Sequence, residues 1–448
     1  MVVKRKAAAG AAGPRKAGKS GRNVASAAGR RAAQEAQVEG EADLHSDAES
    51  SDAEAKKSDD EDEEFFETSD EKRVRLAKEY LNKMGDGKAP AEVQDQLSKD
   101  VEEHERRNRL QVSNLSFGEP RFLKGHKMAA TCVCLSSDEG TMFTGGKDCA
   151  IIRWDVETGK KDVFPGGRNR FDCGGHFEQV LSVCLIEQRG LLASAGVDRV
   201  VRLWDPRAPG KSSCIGKLSG HTGSVTALVP ELDGSQLYSA SLDKSMKIWD
   251  LASRRCVDTL LGHVSGISAL DLYSKGRPLS GGADKTVRSW KVDKDTHLMF
   301  SRHTYAVDAV CVADQDRFVS GSQDGSLMLW SSASKKPLAT TSLGEGKWVS
   351  SLSAIRRGNV FFSGSVDGTL RAWRFGRKAS GAEEKKGAMQ LSEATEPVIA
   401  PGCINGIAVG KRILACAIGK EHKLGRWFYD KKEKNGALIV PLSYEAEG

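Results

Sequence analysis

An aspartate followed six residues later by a tryptophan occurs six times along this chain: Asp148 with Trp154, Asp198 with Trp204, Asp243 with Trp249, Asp284 with Trp290, Asp324 with Trp330 and Asp367 with Trp373. Four residues before each aspartate stands a hydroxyl, at Thr144, Ser194, Ser239, Ser280, Ser320 and Ser363. A histidine lies 17 or 18 residues before the first five hydroxyls, at His126, His176, His221, His263 and His303. One copy of Ser, His and Asp would suit a nucleophilic triad, in which Ser attacks, His takes its proton and Asp orients the His. An enzyme needs one such site, whereas a repeated architecture needs the same internal bonds in every unit. The recurrence therefore identifies scaffolding.

Counting a further Trp427, the repeat tryptophans are spaced by 40 to 54 residues. That brackets the unit of about 40–45 residues of a WD40 propeller, with its Gly-His start and Trp-Asp end. Each unit reads as a four-stranded blade. In the third, Val225, Ala227 and Val229 alternate, and QLYSAS and SMKIWDL follow across short turns. The repeated side chains then have a structural use. The aspartate, in a tight turn, accepts from backbone N–H groups and from the histidine; the histidine reaches the hydroxyl, which meets the indole N–H. The expected fold is all-β, a seven-bladed WD40 propeller over residues 114–448.

Two units depart from the pattern. The sixth offers LGEGKWV in place of Gly-His. In the seventh, Glu421 stands six before Trp427 and Ala417 takes the hydroxyl position. We expect two strands within 404–427 ending in that tryptophan. Either Gly436–Leu442 or the segment near residue 120 would supply the outer strand that closes the ring.

Residues before 114 differ in kind. Residues 1–34 hold nine Lys or Arg and no acid in an Ala/Gly-rich background that cannot bury a core, so a disordered tail is expected. Lys4, Arg5, Lys6, Arg15, Lys16 and Lys19 read as a nuclear or nucleolar address, or as nonspecific RNA contacts. GPRKAGKS, residues 13–20, matches a phosphate-binding loop but lacks the strand and helix that such a loop needs. Residues 35–70 reverse the sign, with sixteen acids against Lys56 and Lys57. In this second disordered tract, Ser46, Ser51 and Ser58 precede acids and are candidate phosphorylation sites. Residues 71–113 form an expected helical arm, with Val74, Ala77, Leu81 and Met84 on one face and Val93, Leu97 and Val101 on another.

Beyond the tails, residues 71–448 carry 56 Lys or Arg against 45 Asp or Glu, a net of +11. A basic propeller suits a polyanionic partner. Two basic clusters lie outside the strands and are candidate RNA contacts: Lys160, Lys161, Arg168 and Arg170 after the first blade, and Lys420, His422, Lys423 and Arg426 in the seventh. If they emerged on one face, ring closure would join them. Ten scattered cysteines, no signal peptide and no membrane-spanning run indicate a reducing compartment. Cys173 and His176 have metal-like spacing but no second pair nearby, so no metal is expected. No nonrepeating acid–base pair appears either, and the chain reads as non-catalytic, without cofactor, small-molecule substrate or membrane.

GKDCAIIRWDVETGKK in the first unit, with GKEHKLGRW and NGALIVPL in the last, resembles the U3 small nucleolar RNP-specific WD-repeat proteins. The likeness spans residues 71–448, and the irregular last unit discriminates it from generic WD repeats. The resemblance implies a nucleolar component of the U3 box C/D snoRNP and the small-subunit processome. Such a protein binds the box B/C region of U3 snoRNA with the kink-turn-binding protein and supports processing of pre-rRNA toward 18S rRNA. Its implied partners are U3 snoRNA, the box C/D core proteins and processome proteins. Two other readings remain at this level. One is a cullin-linked ubiquitin-ligase receptor using Trp204–Arg207, WDPR; the other is a histone-binding scaffold.

Overall fold

The computed structural model describes residues 110–447, apart from 168–173, 209–212, 315, 345, 378–388, 428 and 430. The basic tail with its Lys4–Lys19 cluster, Ser46, Ser51, Ser58 and the arm up to residue 109 lie outside the described residues, as do Arg168, Arg170 and Cys173. Among the described residues the strands form seven sheets. The third blade shows the common plan: Val225–Pro230, Gln236–Ser241, Ser245–Asp250 and Arg255–Leu261 pair in sequence order, all antiparallel. The first strands of successive blades touch in turn, and that of the seventh touches that of the first, so the ring is closed.

Apolar packing runs between blades as well as within them. Tyr238, Met246 and Ile248 of the third blade are buried with Ile267, Leu270 and Trp290 of the fourth. Polar stitches run alongside. The second residue of an inner strand donates a hydrogen bond to the next blade's inner strand: Thr131 to the Val180 carbonyl, Thr226 to Ile267, Ser268 to Val307 and Ser350 to Ile404. Asn405 completes the circle by donating to the Ala130 carbonyl at 2.8 Å.

The expected bond chain is present in the first four blades. In the third, Trp249 Nε1 donates to Ser239 Oγ at 2.7 Å. Ser239 lies 2.7 Å from His221 Nε2, and His221 Nδ1 lies 2.9 Å from Asp243. Burial holds the histidine pKa below its ordinary value even though Asp243 pulls it up. The neutral ring therefore donates from Nδ1 to the carboxylate and accepts at Nε2 from the hydroxyl. In the first blade Trp154 Nε1 donates to Thr144 at 2.8 Å, and His126 links that hydroxyl to Asp148. The second runs from Trp204 through Ser194 and His176 to Asp198, and the fourth from Trp290 through Ser280 and His263 to Asp284.

The last three blades depart from the expectation by degrees. In the fifth, Trp330 Nε1 still donates to Ser320 at 2.7 Å, and His303 reaches the same hydroxyl at 2.6 Å. The break comes at the carboxylate end: His303 Nδ1 faces Ser326 at 3.3 Å, while Asp324 accepts from Thr304. The Trp330 chain therefore passes from its histidine to Ser326, whereas the Trp154 chain runs directly to Asp148. In the sixth, Trp373 donates to Ser363, and Asp367 binds its own turn through Thr369.

The seventh blade corrects three expectations. Its strands are Cys403–Val409, Ile413–Gly419 and Gly436–Glu447, and its outer strand is Gln111–Phe117 from the other end of the described chain. Residues 111–113, expected in the arm, thus belong to the propeller. Arg121–Lys124 continues the same edge, pairing with residues 436–439. Both candidate segments take part in closure, Gly436–Leu442 within the third strand and the segment near 120 along its outer edge. Trp427 ends no strand; it sits in the connection between the second and third. Aligning registers with the third blade puts Cys416 and Val440, not Ala417 and Trp427, where Ser239 and Trp249 stand. Cys416 and Val440 are fully buried, so this blade replaces the polar chain with apolar packing.

Asp243→Ala should destabilise the protein by about 1–3 kcal/mol, the cost of leaving a buried polar chain unpaired. Asp324→Ala should cost less, because His303 is not bonded to it. Urea unfolding of the two variants checks the order. A fully stable Asp243→Ala protein that loses partner binding would contradict the scaffolding role.

Candidate nucleic-acid interface

The connection from Lys420 to Asn435 replaces the short turn that other blades have between their second and third strands. In an antiparallel meander this end of a blade also receives the blade-to-blade connections. The segment is held by buried charge. Glu421, 4% exposed, forms an ion pair at 3.0 Å with Lys147 in the corresponding turn of the first blade, itself 6% exposed. Arg426 Nε donates to the other carboxylate oxygen at 2.7 Å. Asn405, on the inner strand, donates to the Glu421 carbonyl and accepts from Lys423 N at 2.8 Å.

The next two side chains turn inward. His422 is fully buried, with its ring 4.4 Å from that of Trp348. Its Nδ1 accepts from Leu424 N at 3.3 Å, and its Nε2 has no hydrogen-bond partner among the described residues. Burial first, and then the nearby Lys423 and Lys147, push its pKa down to about 3. Lys423 Nζ donates to the Ser350 carbonyl at 3.2 Å in the sixth blade. Burial lowers the pKa of that ammonium, while Asp308 of the fifth blade opposes the shift. Asp308, 3% exposed, accepts from Trp348 Nε1 at 2.7 Å and from Gln323 Nε2 at 2.9 Å. Burial raises its carboxyl pKa against those three partners. One connection thus links the first, fifth, sixth and seventh blades.

These placements divide the predicted basic surface. His422 is an interior group, and Lys423 is half-buried with its ammonium donating to the Ser350 carbonyl. Lys420 is half-buried, with Nζ donating to the Lys431 carbonyl, whereas the Arg426 side chain is 70% exposed. Lys160 and Lys161 are exposed, but Lys160 ends the turn between the third and fourth strands of the first blade and Lys161 begins the fourth. That turn lies at the opposite end of the blades from Lys420 and Arg426. Lys161 Nζ also donates to the Lys124 carbonyl. The connection between Phe164 and Val180, which contains Arg168 and Arg170, leaves and re-enters at the same end as the 420–435 segment. Sequence reasoning missed Lys147, Asp308, Trp348 and Asn405. One signal was available: Asp308 and Asn405 occupy the inner-strand position held elsewhere by Thr131, Thr226, Ser268 and Ser350.

The family model for "WD domain, G-beta repeat" matches residues 118–155, 167–205, 212–250, 254–291, 295–331 and 335–374. The Arabidopsis thaliana protein named U3 snoRNP-associated protein-like EMB2271 is 31% identical over 432 residues, 85% of this chain and 87% of its own. The chain belongs to the U3 snoRNP-associated WD-repeat family. The human U3 small nucleolar RNA-interacting protein 2 is 32% identical over 408 residues, 84% of this chain and 82% of that one. Among solved structures, the crystal structure of the RRP9 WD40 repeats matches with a TM-score of 0.66 at 30% identity, covering 74% of this chain and 100% of that one. The six matched repeats end at residue 374, so the seventh blade and its 420–435 connection lie beyond them.

His422 also sets a pH response. An unfolded histidine takes up its proton near pH 6.5, whereas the folded ring resists protonation down to about 3. The unfolded state therefore binds more protons in that window, and stability falls as pH drops from about 6.5 toward 3. His303, with its folded pKa pushed down by burial to about 4, adds to the same loss. His422→Gln should flatten the acid limb of the melting temperature against pH while leaving the His303 share. An unchanged limb would show that His422 is not held neutral.

Proposed function

We propose that this chain is a non-catalytic U3 snoRNP protein. It binds the box B/C region of U3 snoRNA together with the kink-turn-binding protein, and it supports processing of pre-rRNA toward 18S rRNA in the small-subunit processome of the nucleolus. The main support is family membership, through relatives named for U3 that align over most of the chain. The Ser/His/Asp sets support a scaffold: they recur around the ring, their hydroxyls and histidines are buried, and their members hydrogen-bond to one another. Arg426, the half-buried Lys420 and the exposed lysines of the 420–435 connection, with Arg168 and Arg170, are the proposed phosphate contacts. Arginine can pair two N–H groups with one phosphate, while lysine acts as a point charge.

RNA crosslinked to the purified protein should be enriched in U3 sequence around box B/C. Enrichment of unrelated RNA, or co-purification with a cullin in place of RNA, would refute the assignment. Lys420→Gln with Arg426→Gln should weaken U3 binding and lower the slope of log affinity against log salt, by roughly 0.7–0.9 for each phosphate no longer neutralised. An unchanged slope would move the phosphate contacts elsewhere.

Deleting residues 1–34 should reduce nucleolar accumulation without changing RNA binding in vitro. Imaging of a tagged deletion tests this, and unchanged accumulation would place the address in the remaining chain.

A further inference from the structure

Among the described residues, the 420–435 connection carries two exposed aromatic rings that no fold-level requirement explains. Trp427 is 61% exposed and Tyr429 54%, although neither belongs to a strand of the blade. The tryptophan ring is nonetheless held in place. It lies 5.6 Å from the Trp348 ring and 5.8 Å from that of His422, tilted by 33° and 37°. Gly425 lets it fold close over the backbone, since a Cβ there would stand 3.0 Å from the indole. Tyr429 is fixed by an antiparallel bridge to Glu421, whose carboxylate is anchored on Lys147. Cations flank the aromatic run: Arg426 precedes Trp427, and beyond Asp430 the exposed Lys431 and Lys432 follow Tyr429.

We propose that Trp427 and Tyr429 are a stacking platform for unpaired bases of a single-stranded RNA segment, with Arg426 and the two lysines on its phosphates. The reading rests on the RNA-binding function proposed above and names the part of the nucleic acid that this site takes. Every base has a π-face that an exposed indole or phenol can cover, and neighbouring cations hold the backbone that links the bases. An apolar peptide would use the same exposed tryptophan as an anchor, but such anchors sit in desolvated pockets with their charges displaced to a rim. Here cations lie within two residues of the rings on both sides, at Arg426 and Lys431. Duplex RNA offers no base faces between its ends, so the platform selects a loop, bulge or junction.

The test uses the full chain with two probes, a U3 snoRNA transcript containing box B/C and a short oligouridylate. Trp427→Ala should weaken transcript binding roughly tenfold, as expected for the loss of one stacked base, with the salt slope unchanged because no charge is removed. Trp427→Phe should keep most of the affinity while losing the part of the fluorescence quenching by oligouridylate that Trp427 contributes. Thermal unfolding checks that both variants remain folded, and Tyr429→Ala provides a second probe that spares the ring stack. Wild-type affinity in both alanine variants would overturn the proposal. Loss of a protein partner with RNA affinity intact would also overturn it, assigning the rings to a peptide. Failure of the unmodified protein to bind the transcript would instead remove the RNA-binding reading, and this platform with it.

Discussion

The pairing of residues 442–447 with 111–117, and of 436–439 with 121–124, converts a row of blades into a ring. It joins segments more than three hundred residues apart by backbone hydrogen bonds. The entropic cost of bringing such distant ends together rises only with the logarithm of the intervening length. A strand of twelve residues, paired along both edges, is long enough to offset it. Closure also leaves no inner strand without a neighbour, which keeps apolar faces such as that around Ile404 and Leu414 out of water.

The same seam organises the candidate interface. Asn405 reaches the Ala130 carbonyl across the junction of last and first blades, and Glu421 meets Lys147 across it. The two acid–base contacts differ in kind. The Glu421–Lys147 pair is almost completely desolvated, so its value lies in fixing one register of the connection more than in net stability. The Arg426–Glu421 pair is open on the arginine side and contributes little by itself. The interior pair thus positions the segment, and the exposed arginine remains available to a ligand.

Much of the fold is legible in the sequence because six units repeat a hydroxyl, an aspartate and a tryptophan at one spacing, and a repeated polar set has few structural uses. The seventh unit misleads for the same reason. Glu421 and Trp427 reproduce the repeat interval by coincidence, while the true third strand announces itself only as the apolar run beginning at Gly436. Strands 111–117 and 121–124 are hard to place because their partners lie at the far end of the sequence, and no local periodicity encodes such pairing. The candidate site is legible only in part. A charge count finds Lys420 and Arg426, yet it also selects His422 and Lys423, whose burial depends on Trp348, Ser350 and Asp308 from other blades. It likewise groups Lys160 with Lys420, although the meander sends them to opposite ends.

The shared last blade has a temporal meaning. During synthesis, residues 111–117 leave the ribosome early and have no partner until residues 442–447 follow. Six blades can form in order behind them, but the ring stays open throughout. The Asn405 and Glu421 anchors cross to the first blade, so the 420–435 connection gains its shape only when the ring shuts. A truncated or stalled chain would hold six nearly complete blades and an unformed interface. The anchors of the 420–435 connection are thereby tied to a pairing that needs residues 442–447.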